Sequence, residues 1–146
     1  MAASFPSSIK SFGSDAVNGD YIEASHVNDL RAEVVAVETA VIMRRVNSTT
    51  SASSISPDAA AYDTYALTAL AAPLTVNAPT NAFDGAKLII RLKDNGTARA
   101  LTWNSVFRAV GVTLPTTTVI SKVLYVGFIY NATETKWDCI AQAQEA

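Results

Sequence analysis

The chain has 146 residues and a formal net charge of −2, which is enough for one domain with its own core and an additional arm or helix. So near-neutral a balance excludes a general electrostatic pull toward nucleic acid or an anionic membrane. Charged residues make up 16% of the chain and apolar residues 49%, whereas an ordinary globular domain carries ~25% charged residues. Ser, Thr, Asn and Gln must therefore coat much of the surface, or part of it is buried against other copies of the chain.

Residues 1–23 are rich in Ser, Gly and Asp and contain the turn former Asn18-Gly19-Asp20. No continuous apolar stretch follows a charge at the start, so the reading expects no secretory signal and synthesis in the cytoplasm. Nor does any segment reach the ~18 apolar residues of a membrane-spanning helix, so no membrane insertion is expected. Phe5, Ile9, Phe12 and Tyr21 are isolated among small polar residues. That mixture suits an extended arm laid on another protein, with these four residues as its attachment anchors.

Residues 24–46 read as helix. Ser25 suits the N-cap, Asn28 and Asp29 lie near the positive end of the dipole, and Arg44 and Arg45 lie near the negative end. Val27, Leu30, Val34, Val37 and Val41 alternate three and four apart, a coiled-coil seam over two heptads. β-Branched residues at both seam positions favour three strands over two, so the partner expected is a homotrimer. An amphipathic helix packed on its own domain is the alternative. At ~1.5 Å per residue the seam is short, and a trimer would need a second contact.

Residues 47–57, Asn47 to Pro57, read as a Ser/Thr linker. Beyond them, residues 58–146 alternate short β-type runs with turns, and the fold class expected is mainly β, a compact antiparallel sandwich or barrel after the helix. The expected strands are Tyr65–Leu70, Leu74–Ala78, Lys87–Lys93, Ala98–Trp103, Val119–Asn131 and Lys136–Ala143. Asp94-Asn95-Gly96 reads as a hairpin turn that sets Leu92 opposite Ala98 and Ile90 opposite Ala100. Val123 to Tyr130 is apolar on both faces, so this strand is expected to be covered on both sides. No internal repeat is evident.

The chemistry-bearing residues are sparse. His26 and Cys139 are single and lie in different regions, which excludes a His/Cys metal site. Asp58, Asp63, Asp84, Asp94, Glu134 and Asp138 show no paired spacing, and no nucleophile elbow or glycine-rich phosphate loop occurs. No cofactor and no enzymatic activity are expected, and Cys139 reads as a buried structural thiol. Lys87, Arg91, Lys93, Arg99 and Arg108 form a modest basic group, read as a solvated strand face and not as a nucleic-acid site. Trp103 and Trp137, with Tyr125 and Tyr130, could line a sugar platform, although aromatics on strands are more often core.

Three parts of the chain resemble known proteins. Phe12-Gly13-Ser14-Asp15, and Gly19-Asp20-Tyr21-Ile22-Glu23-Ala24-Ser25-His26-Val27-Asn28-Asp29-Leu30 onward to Glu38, look like the polar lead and stalk helix of tailed-phage fibre and appendage proteins. Asp84 to Trp103 and Leu124 to Asp138 resemble a β-module of phage and prophage virion proteins. The resemblance implies a homotrimeric structural protein on the virion, held by a capsid or tail protein and able to meet a host-surface glycan. It brings no active site. The long shaft of most tail fibres is absent, which favours a head fibre or capsid decoration over a short tail or baseplate fibre. A carbohydrate-binding receptor module is the alternative of a different class, and it needs Trp103 or Trp137 exposed.

Overall fold

A computed structural model describes residues 24–42 and 45–146, in two compact units that divide after Arg44. The attachment anchors Phe5, Ile9, Phe12 and Tyr21 lie outside the described residues. The first unit contributes one helix, α1 (Ala24–Ile42). It starts one residue ahead of Ser25, so that serine occupies the first turn and does not cap it. Arg45, expected at the helix end, instead opens the second unit, where its guanidinium grips the Asp63 carboxylate and the Ala60 carbonyl.

The second unit is built of strands β1 (Val46–Thr49), β2 (Ser54–Ile55), β3 (Thr64–Leu70), β4 (Leu74–Val76), β5 (Lys87–Asp94), β6 (Leu101–Trp103), β7 (Phe107–Ala109), β8 (Val123–Asn131) and β9 (Lys136–Gln144). The mainly β expectation therefore holds for the described residues, but the antiparallel one does not. A six-stranded sheet runs β1-β3-β5-β8-β9-β7 and a three-stranded sheet runs β2-β4-β6. From β1 to β6 the chain passes alternately from the large sheet to the small one, laying each new strand parallel to its predecessor. These are coils of a short β-solenoid. Among these strands antiparallel pairing is confined to β8, against β5 on one side and β9 on the other. The β8–β9 hairpin covers the last coil's edge of the large sheet, as a terminal cap does in a repeat protein.

The coils differ in length: Thr64 pairs with Val46 on one side and with Ile89 on the other. The segment expected as a linker, residues 47–57, is instead the first coil. Its polar side chains suit an edge position, and its backbone is held by Ala69 N–H to Thr50 O and Thr75 N–H to Ser53 O, both near 2.9 Å. Ile55 is buried in the common core.

The Asp94-Asn95-Gly96 hairpin is also corrected. β5 already has β3 and β8 on its two edges, which leaves no place for a returning strand. Leu92 lies opposite Leu67 and Leu124, not Ala98. The turn carries the chain over to the small sheet: Gly96 sits at φ 93°, a left-handed conformation that costs glycine little, and its N–H donates to Asp94 Oδ1 at 3.0 Å. Residues 116–118 then run beside β6 and hold its outer edge through Leu101 N–H to Thr116 O and Thr118 N–H to Arg99 O.

One apolar core joins both sheets. Leu67, Leu88, Ile90, Leu92, Leu124, Val126 and Phe128 point inward from the large sheet against Leu74, Val76 and Leu101 of the small one. Most are at or near zero exposure, and each such side chain contributes ~1.5–3 kcal/mol relative to leaving it in water. Sequence alternation sets the inner face of β5, where Leu88, Ile90 and Leu92 are all buried while Lys87, Ile89 and Lys93 face out.

Candidate assembly and ligand-binding surfaces

The helix presents the first surface. Val27 and Leu30 are each 55% exposed, Val34 48% and Val37 41%. They recur on one stripe of α1, and Val41 lies within the same helix. An isolated helix of this length is marginal in water, because its nucleation cost is met only by packing of an apolar face. These residues have the spacing of a seam.

The outer face of the large sheet is the second surface. In β8, Leu124, Val126 and Phe128 enter the core, while Tyr125 is 43% exposed and Gly127 and Ile129 are half-buried. The expectation of cover on both sides is thus not met by any layer among the described residues. Register sets Ile89 beside Gly127, which in turn faces Ala141, and sets Arg91 beside Tyr125, which faces Ala143. Lys87, Arg91 and Lys93 project from the outward side of β5. Among the described residues none of the three has an ion-pair or side-chain hydrogen-bond partner. The other basic residues are engaged: Arg108 makes a bidentate contact with Asp138 at 2.8 and 3.0 Å, and Arg99 donates to Asn95 Oδ1. The basic group read from sequence is therefore divided, and only its β5 members are free.

The tryptophans are not a platform. Trp137 is 1% exposed and packs against Tyr130 in a tilted contact, ring centres 5.2 Å apart. Trp103 is half-buried against Phe107 and Phe128, and its indole N–H donates to Pro115 O at 2.7 Å. Trp137 is thereby closed to a ligand, while Trp103 keeps part of its ring at the surface. The register with β5, which sets Tyr125 beside the outward Arg91 and Phe128 beside the buried Leu88, distinguishes the available ring from the core ring.

Among the described residues Asp94 is the one carboxylate held in the interior, at 3% exposure. Burial pushes its pKa up, but hydrogen bonds from Ser121 N–H, the Thr118 hydroxyl and Gly96 N–H, with the charge of Arg99, outweigh that and hold it below the ordinary value. It locks the turn after β5 to the segment before β8. Cys139 is fully buried, and burial pushes its thiol pKa up, the opposite of a nucleophile's environment. Among the described residues no three His, Cys, Asp or Glu side chains converge as a metal site would require, and no helix is long and apolar enough to cross a membrane. The chain matches no protein-family model, and neither the curated proteins nor the solved structures supply a match to it.

Proposed function

We propose that this chain is a homotrimeric structural protein of a tailed-phage particle, a head fibre or capsid decoration, assembled through α1 and attached through residues 1–23. The observation that carries the assembly is the row Val27, Leu30, Val34 and Val37, each at least 41% exposed on one helix. Leaving such a row in water forfeits the burial that makes a short helix stable, and three copies wound on one seam recover it. Low charge on a chain of this size supports the same reading. The phage setting rests on the resemblance of the N-terminal lead and of the β-segments. Its work is adhesion, with no catalytic step. The rival receptor module loses its support at Trp137, which is closed in the core.

Attachment is tested with particles that lack the protein. Full-length chain and a chain starting at Ala24 are each added, and the particles are pelleted. The proposal expects the full chain in the pellet and the truncated chain in the supernatant, because three weak arms on one trimer act through effective concentration. Equal recovery of both would move attachment to the helix or the β-domain.

A further inference from the structure

The free cations on β5 and the exposed ring on β8 are neighbours. Register places Arg91 directly opposite Tyr125, and Lys93 opposite Val123. Together with Thr68 of β3 they line a recess of about 210 Å³ on the outer face of the large sheet. The recess lies over the irregularity in β3 between Leu67 and Leu70, where pairing to β5 shifts register. Bulges of this kind re-aim side chains and recur beside binding sites. Arg91 stands between Tyr125 and the small Ala66 in the register of the sheet.

From this geometry we propose that the recess binds one acidic unit of a saccharide, with the sugar ring on Tyr125 and its carboxylate or sulfate held between Arg91 and Lys93. Two unpaired cations call for an anion, and a guanidinium fork matches a planar carboxylate or a sulfate oxygen pair. A tyrosine 43% exposed, with no aromatic neighbour of its own among the described residues, offers an apolar face for the flat side of a ring. The Thr68 hydroxyl, which makes only a long 3.5 Å contact to Thr49 O, remains able to bond a sugar hydroxyl. The volume is smaller than the ~300–1,000 Å³ of a pocket for a drug-sized molecule, which suits a single ring.

Other anionic partners fit less well. An acidic peptide gains much of its affinity by adding a strand to a sheet edge, but β3, β5 and β8 are each paired on both sides. Single-stranded nucleic acid needs successive stacking rings, and this face offers one. The inference does not rest on the trimer or on the phage setting, since the recess is formed within one chain.

The test is calorimetric titration of the full chain with a galacturonate tetramer, a sulfated galactose tetramer and the neutral galactose tetramer. The first two separate carboxylate from sulfate, and binding of either, at least about tenfold tighter than the neutral chain, is expected. Tyr125→Ala and Arg91→Gln should each weaken that binding about tenfold, whereas Lys122→Gln, outside the recess, should leave it unchanged. All three changes lie at solvent-facing positions, and matching thermal unfolding of each variant will establish that the fold is kept. No binding of either acidic tetramer, or binding that survives Tyr125→Ala, overturns the proposal. Tighter binding of a thymidine oligonucleotide than of both acidic tetramers overturns it as well. Sedimentation of the same samples reports the trimer separately.

Discussion

Asp94 shows how a single side chain organises the exit from the parallel coils. Its two oxygens accept from Gly96 N–H, Ser121 N–H and the Thr118 hydroxyl, at 3.0, 2.8 and 2.8 Å. Replacing it with Asn removes the charge that strengthens these bonds and sets an amide N–H against the Thr118 hydroxyl, which then loses the acceptor for its own proton, at a cost of ~1–3 kcal/mol. The folded carboxyl titrates below its ordinary 3.8. Its stabilising effect is therefore complete above the unfolded pKa and disappears as pH falls through the lower folded value. Asp94→Asn should accordingly lower the urea midpoint at pH 7, with the gap to the parent chain narrowing below about pH 4. A constant gap down to pH 2 would place the loss in shape and not in charge. Cys139, buried with a raised thiol pKa, should be untouched by an aromatic disulfide reagent at pH 8 until urea unfolds the chain. Reaction at the rate of a free thiol would mean that β9 opens readily.

At the scale of elements, the helix is where sequence pattern and proposed function meet. Changing Val34 and Val37 to Asp should weaken self-association about a hundredfold or more, because a carboxylate in a closed seam loses hydration without gaining a partner. The thermal transition of the β-domain should remain, and unchanged association would move the contact away from α1. The strands were unequally legible. β3, β5, β8 and β9 are long and alternate or run apolar, so they announce themselves. β1, β2 and β7 are Val-Asn-Ser-Thr, Ser-Ile and Phe-Arg-Ala, too short and too polar to stand apart from loop. They are strands because neighbouring coils supply their hydrogen bonds. The parallel path was hidden for a related reason: coils of unequal length leave no fixed period to detect. The proposed seam on α1 is an argument from spacing alone. The recess at Tyr125 could not be read from spacing, since Val123 to Tyr130 is apolar at both parities, and only the register with β5 shows which residues turn outward.

For the whole molecule, the boundary between units falls before Arg45, and this decides which fragment folds alone. A chain of Arg45–Ala146 retains every coil and the Arg45–Asp63 contact. It should unfold cooperatively with a β-type circular dichroism spectrum. A chain beginning at Asp58 loses β1 and β2, removes Ile55 from the core and uncovers the edges of β3 and β4. It should be markedly less stable and prone to aggregate. Equal stability of the two fragments would show that the first coil contributes nothing. Assembly of the full chain is read most directly by sedimentation equilibrium at micromolar concentration. The account predicts a single species at three times the 15.4 kDa chain mass, lost in the Val34→Asp, Val37→Asp variant. A stable monomer across that range would contradict it, and a dimer would reject the three-stranded seam.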